Sequence, residues 1–395
     1  MKKSIFCYEK KKGNYTYFFN TLSRVLIRLK EKDLRVLTHY GFYVDDTFDE
    51  HKQFLFDYYR QCYNSKFFTI TYLLTNTCNF RCTYCFEKDS YKSEKEKNVI
   101  SPEDFADICE YVINKERVKY LDVNFFGGEP LLKYNDIISA VKRIKALECD
   151  SSFNVVTNGY LLNAERVQEL KNVGIDSLQI TIDGCKEKHD ACRVLANGGP
   201  TYDVIMRNVL LAIDAGLEVI VNITYTDDDF ESIDSFLRDF PAEYKHRTYV
   251  KFTRLLDLDR TDIGMLGKLY GSLHKHGFLP QDISHLEYGP CMNKLQNSLL
   301  VHADGKLSKC IFDVSEFALG YVEYNNNSAN VDKVLLARPI RIQCLDPKCK
   351  KCQFLPMCKG GCDRMHNQKK SVCRKKYYES VADAIINYLG DALDE

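Results

Sequence analysis

Residues 75–89 read TNTCNFRCTYCFEKD, and the cysteines in this stretch, Cys78, Cys82 and Cys85, decide how the rest of the chain is read. The spacing Cys-x3-Cys-x2-Cys brings three thiols so close in sequence that they can wrap one face of an iron–sulfur cubane. Three protein ligands, rather than four, leave one iron open. A reactive cluster needs that open position, whereas a structural site avoids it. Taken alone, the segment also reads as a zinc loop missing its fourth ligand.

The loop follows an apolar run, FFTITYLL (67–74), that reads as a strand. Further strand-like runs are YLDVNFF (120–126), FNVV (153–156), SLQITI (177–182), LEVIVNITY (217–225) and YVKFTRLL (249–256), with helical patterns between them. Ser101 followed by Pro102 predicts a helix start, since Ser caps and Pro suits the first helical position. Six strands alternating with helices predict a parallel sheet with right-handed crossovers, open or curled into a partial barrel. Such sheets carry their chemistry at the C-terminal ends of the strands. Before this α/β core, residues 1–65 form an α+β extension: NYTYFFNTLSRVLIRLK reads as two short strands, and EKDLRVLTHYG and FDEHKQFLFDYYRQCYN as helices. Residues 257–290 read as a helix and linker.

With 395 residues, 45% of them hydrophobic, the chain can bury one large domain and a smaller one. Lys+Arg and Asp+Glu both number 55, so no basic excess draws it to nucleic acid or a membrane surface. No signal-like segment and no apolar run of spanning length is present, and a cytoplasmic protein is expected. The anomaly is 17 cysteines, eight of them between Cys291 and Cys373. In a reducing compartment such clustering points to metal rather than to disulfides.

The first cluster resembles the signature of the radical S-adenosylmethionine (radical SAM) superfamily, with Tyr84 where members usually carry an aromatic. The resemblance implies a partial (β/α)6 TIM-like barrel over residues 66–256. It also implies that the cluster passes an electron to S-adenosylmethionine, giving a 5′-deoxyadenosyl radical that abstracts a substrate hydrogen. Gly127-Gly128-Glu129-Pro130 after the second strand resembles the loop that holds the methionine amino group, its glycines admitting a ligand close to the main chain. Thr157-Asn158-Gly159 ends the third strand, either with Asn158 beside the cofactor or as a simple turn. Thr181-Ile182-Asp183-Gly184 resembles a Ser-x-Asp-Gly segment whose hydroxyl contacts the cofactor together with an Arg twelve residues on, here Arg193. A guanidinium fork suits a carboxylate, and a surface ion pair is the alternative for Arg193. Cys185 and Cys192 depart from the family pattern, as hydrogen-atom donors or as small buried residues.

Residues 291–395 contain Cys291, Cys310, Cys344, then Cys349-x2-Cys352-x5-Cys358-x3-Cys362, then Cys373. Seven of these resemble the SPASM domain, which carries two auxiliary [4Fe–4S] clusters. The resemblance assigns Cys349, Cys352, Cys358 and Cys373 to one cluster, and Cys291, Cys310 and Cys362 to the other, with Cys344 the nearest spare thiol for its fourth ligand. Three [4Fe–4S] clusters and S-adenosylmethionine are then the expected cofactors; a pair of four-cysteine zinc sites is the alternative for this region.

The expected substrate is a ribosomally made peptide, with a leader docking on the extension, cross-linked through a thioether, C–C or similar bond. A low-potential flavodoxin- or ferredoxin-type donor is the expected electron source. Oxidation of a sulfatase Cys or Ser to formylglycine is the alternative outcome. Relatives of that branch usually carry a basic Asp directly after the second cysteine of the Cys-x-Gly-x4-Cys segment, whereas here Ile311 and Phe312 intervene before Asp313. They also begin near the first cluster, whereas 77 residues precede Cys78 here. A non-catalytic electron carrier is the reading from another class, but a carrier needs no cofactor cradle.

Overall fold

The computed structural model describes residues 1–87, 100–255, 264–278, 290–312, 318–325, 328–336, 347–363 and 373–392. The chain divides into two compact units, one of Tyr63–Leu255 with Cys291–Ile340, the other of Met1–Cys62, Leu256–Pro290 and Arg341–Glu395.

In the first unit, β1 (Phe67–Leu73), β2 (Tyr120–Phe126), β3 (Asp150–Thr157), β4 (Ser177–Thr181), β5 (Glu218–Tyr225) and β6 (Thr248–Arg254) lie side by side in that order. Every neighbouring pair is parallel. Helices α1 (Pro102–Glu116), α2 (Tyr134–Lys145), α3 (Ala164–Val173), α4 (Lys186–Cys192), α5 (Tyr202–Asp214) and α6 (Phe230–Asp239) fall between the strands. This is the partial barrel that the sequence predicts.

Alternation along the strands sorts the two faces. Phe68, Ile70 and Tyr72 of β1, Leu121, Val123 and Phe125 of β2, and Phe153 and Val155 of β3 share one fully buried face. Helices cover it: Phe105 of α1 stacks on Tyr72 with ring centroids 4.4 Å apart. The opposite face is polar. Asp122 there accepts from Asn124 at 2.9 Å, Ser152 at 3.0 Å and Asn154 at 3.1 Å. A doubly wound sheet is apolar on both faces, so one polar face suits the lumen of a barrel.

Helix α1 starts where the sequence places it. Ser101 Oγ accepts from the Asp104 N–H at 3.0 Å, and the Asp104 carboxylate accepts from the Ser101 N–H at 2.9 Å, a reciprocal cap worth about 1 kcal/mol.

The structure divides residues 291–395 differently from the single C-terminal domain expected. Strand β7 (Ser298–His302) pairs in parallel with the free edge of β1, from Ser298 opposite Thr69 to His302 opposite Leu73. Strands β8 (Lys306–Ser308) and β9 (Ala318–Tyr321) extend the sheet antiparallel. The reason is backbone satisfaction: β1 has two edges, β2 fills one, and the other needs a partner.

In the second unit, Cys7–Lys12, Tyr15–Asn20 and Leu26–Leu29 form an antiparallel sheet. The extension is not a separate module. Phe6, Phe54, Tyr58 and Cys62 share a buried cluster with Leu355, and Cys349 and Cys352 pack against it. Tyr8 and Lys10 both reach Asp383, at 2.7 Å each. No helix among the described residues is long and apolar enough to cross a membrane.

At the C-terminal ends of β1 and β2 two loops meet. Gly128 N–H donates to Thr75 O at 2.7 Å, and Glu129 N–H to Thr77 O at 2.9 Å. A Cβ on Gly128 would stand 2.3 Å from Thr77 O, and one on Gly127, whose φ is +138°, would stand 2.5 Å from Thr75 O. These glycines therefore admit the neighbouring main chain itself. Gly128→Ala must push the loops apart, at a cost of about 1–3 kcal/mol. A lowered urea midpoint is the expected result; a wild-type midpoint would mean that the loops part freely.

Candidate functional site

The cysteine loop is fixed by a distant segment. Arg81 N–H donates to Val194 O at 2.9 Å, Thr83 N–H to Cys192 O at 3.0 Å, and Ala196 N–H to Asn79 O at 2.8 Å. Phe80 and Leu195 form an antiparallel bridge, and the buried Phe80 packs edge-on against Tyr160 at 5.8 Å. With its backbone tied down, the loop holds Cys78, Cys82 and Cys85 half-buried. Burial pushes the Cys78 thiol up to about 12, and Glu129, Cys82 and Cys85 add to the rise. Burial raises Cys82 too, partly offset by Arg193. Such thiols keep their protons until a metal takes the proton's place.

Around the thiols lies a buried polar network. Tyr84 donates its hydroxyl proton to Asp183, and Arg193 Nη1 donates to the same hydroxyl at 2.8 Å. Asp183 is 1% exposed and Arg193 8% exposed. Burial lifts the Asp183 carboxyl above the usual range despite Arg193 and Tyr84. Burial opposes the charge on Arg193, but Tyr84, Cys82 and Asp183 outweigh it and its pKa rises. Arg193 is therefore no surface ion pair, and its Nε–H is buried without an acceptor.

Below Arg193 sits His189, fully buried. The Asp183 N–H donates to its Nδ1 at 3.3 Å, and its Nε2 lies 3.1 Å from Thr201 Oγ1, which itself donates to Arg193 O at 2.6 Å. The Thr201 proton is committed, so Nε2 must carry the imidazole hydrogen. Burial, then Arg193, lowers the His189 pKa to about 3.

Glu129 is fully buried, and its carboxylate accepts from Leu131 N–H at 3.0 Å, Thr157 Oγ1 at 2.6 Å and Asn158 N–H at 2.8 Å. It thus clamps the loop after β2 to the end of β3. Asn158 Nδ2 donates to Asn79 Oδ1 at 2.8 Å, which leaves Asn79 Nδ2 as a second buried donor with no partner. Thr181 ends β4, half-buried and opposite Asn222 of β5. Cys185 precedes α4 with its Sγ 3.2 Å from Ser232 Oγ, and Cys192 contributes its carbonyl to the loop contact above.

An orphaned buried donor costs about 1–3 kcal/mol and is rare unless a ligand completes it. The Arg193 charge acts on Cys82, and Asn79 adjoins Cys78 in sequence. Three thiols with two waiting donors fit a thiolate-held cluster beside a cofactor that offers a carboxylate and other acceptors. Among the described residues no three His, Cys, Asp or Glu converge on one metal ion. A cubane makes no such demand, since each thiolate binds a different iron.

Of the later cysteines, Cys349, Cys352 and Cys358 come together: burial pushes Cys358 up to about 11, Arg374 lowers it, and Cys349 and Cys352 raise it further. Cys362 and Cys373 belong to the same unit and are exposed, whereas Cys291 and Cys310 belong to the barrel unit. Phe86, after Cys85, meets Phe312, after Cys310, with ring centroids 5.1 Å apart. Asp313 and Cys344 lie outside the described residues.

Sequence reasoning passed over Asp183, His189 and Asn79. Asp183 and Asn79 both stood inside quoted stretches, but Asn79 meets a partner 79 positions away, and His189 is a single polar residue in no motif of its own.

His189 gives a pH prediction. Its pKa is about 3 when folded and about 6.5 when unfolded, so between these values the unfolded chain binds the extra proton. Its contribution to stability is complete above pH 6.5 and falls as pH drops, by about 1.4 kcal/mol per pH unit. Urea titrations at pH 7 and 5.5 should show a steeper loss in the wild type than in His189→Gln. Equal slopes would show that His189 takes up its proton in the fold.

Comparison with known proteins agrees with this geometry. Residues 72–239 match the radical SAM superfamily. A cysteine-type anaerobic sulfatase-maturating enzyme of Clostridium novyi (strain NT) is 25% identical over 329 residues, covering 73% of this chain and 86% of that one. Native anSMEcpe with bound AdoMet and Kp18Cys peptide aligns with a TM-score of 0.64 at 18% identity, over 83% of this chain and 98% of that one. Streptococcus suis SuiB bound to its precursor peptide SuiA aligns with a TM-score of 0.56 at 15% identity, over 93% of this chain and 97% of that one. At such identities the structural likenesses establish the fold. Residues 72–239 are a radical SAM domain, and the chain as a whole is similar in sequence to the sulfatase-maturating enzyme and shares the fold of the two peptide-bound proteins.

Proposed function

We propose that this enzyme cleaves S-adenosylmethionine reductively and uses the resulting radical to modify a ribosomally made peptide, forming a thioether, C–C or similar cross-link. The observation that carries the reading is the half-buried three-thiol loop set beside the orphaned guanidinium nitrogen of Arg193. Cys78, Cys82 and Cys85 would hold the catalytic [4Fe–4S] cluster. Tyr84, Gly127, Gly128, Glu129, Asn158, Thr181 and Arg193 would form the cofactor cradle. When bound, the reduced cluster supplies the electron that breaks the sulfonium C–S bond. The chain's own part is to orient and to exclude water: Arg193 presents a fixed cationic fork, and Glu129 locks the cradle loops together.

Two auxiliary clusters would occupy the later cysteines, one on Cys349, Cys352, Cys358 and Cys373, the other on Cys291, Cys310, Cys362 and Cys344. A peptide substrate is supported by two of the aligned structures, which hold peptides. Formylglycine formation is the second reading, favoured by the sulfatase-maturating relative; Asp313 would be its base. A low-potential flavodoxin- or ferredoxin-type protein would supply the electron.

Anaerobic protein given dithionite and S-adenosylmethionine should release 5′-deoxyadenosine. Replacing Cys78, Cys82 and Cys85 together by Ala should abolish that release and remove about one-third of the iron, one cubane of three. Continued release would place the catalytic cluster elsewhere. Conversion of a sulfatase-derived Cys or Ser peptide to formylglycine would select the second reading.

A further inference from the structure

Asp183 and Arg193 are both buried, opposite in charge and close, yet no direct ion pair joins them among the described residues. The Tyr84 hydroxyl stands between, giving its proton to Asp183 and taking one from Arg193 Nη1 at 2.8 Å. A phenol has one proton, so the carboxylate decides where it points. With the proton aimed at Asp183, a lone pair is left for Arg193.

The arrangement spares the guanidinium. A direct Asp–Arg pair would occupy two of its nitrogens in a fork. Contact through Tyr84 uses Nη1 alone and leaves Nε, which has no acceptor. Both ends of the relay are pinned by His189, whose ring accepts from the Asp183 N–H and meets Thr201, the donor to Arg193 O.

We propose that Asp183 is a positioning residue for cofactor binding: through Tyr84 it holds the Arg193 guanidinium in the orientation that leaves its Nε edge for the carboxylate of S-adenosylmethionine. This rests on the reading of Arg193 given under Proposed function. Asp183 acts through Tyr84 on Arg193.

The test measures S-adenosylmethionine binding to anaerobically purified, iron-loaded protein by equilibrium dialysis. The cofactor-induced change in the electron paramagnetic resonance spectrum of the reduced protein is the second readout. Asp183→Asn and Tyr84→Phe should each weaken binding about 10- to 100-fold, the usual cost of losing a residue that orients a ligand-binding group. The double variant should lose no more than the weaker-binding single one, because both changes cut the same relay. Iron content should match the wild type. Wild-type affinity in Tyr84→Phe, or a double variant whose loss is the product of the two singles, would overturn the proposal. Should Asp183→Asn prove insoluble, Asp183→Ser takes its place in the same cycle with Tyr84→Phe, because Tyr84 belongs to the cradle and its loss alone does not isolate Asp183. Wild-type protein that holds iron but binds no S-adenosylmethionine overturns the functional reading beneath it instead.

Discussion

A loop that must hold three thiols half-buried needs other backbones pressed against it, and the structure supplies them. Thr75 and Thr77 accept from the Gly128 and Glu129 amides on one side. The strand-like pairing of residues 79–83 with 192–196 closes the other. Both contacts are main chain to main chain, so they set the loop's path whatever the side chains do. The first is possible only because Gly127 and Gly128 lack a Cβ. The ends of β1, β2 and β4 thus meet at one place, and the chemistry follows from that meeting.

Burial then decides the electrostatics. Asp183, Glu129, His189 and Arg193 are all withdrawn from water, where an unpaired charge is costly. The protein meets that cost unevenly. Glu129 receives three donors and His189 is held neutral, while Arg193 keeps its charge with one nitrogen unmatched. A site that satisfies most of its buried groups but leaves the Arg193 and Asn79 donors open is shaped for whatever completes them.

Much of this was legible in the sequence where the signal was local. The six core strands, the cap at Ser101 and the cysteine spacing are read from neighbouring residues. The seventh parallel strand was not, because Ser298–His302 is a five-residue run among cysteines whose partner, β1, lies more than two hundred positions earlier. The polar barrel face was in plain view as the alternation of Thr69 and Thr71 or of Asp122 and Asn124, but alternation alone does not say which face helices will cover. The Asp183–Tyr84–Arg193 relay spans about a hundred residues, and no local pattern announces it. The glycines at 127 and 128 could be read as close-approach positions, but what approaches is known only from the fold.

The unit that contains the N-terminal sheet has a consequence for how the protein is made. Its buried cluster joins Phe6, Phe54, Tyr58 and Cys62 to Leu355, so 293 positions separate Cys62 from the residue that completes its core. At ribosomal rates of about 5–20 residues per second, that gap lasts roughly 15–60 s. During it the first strands have emerged but cannot bury their apolar side chains in native company, while the barrel sheet is being laid down between. Cys349 and Cys352 reach the ribosome exit only as this early surface finds its cover. Those two thiols therefore emerge late, and the opening segment stays without its native cover for most of synthesis.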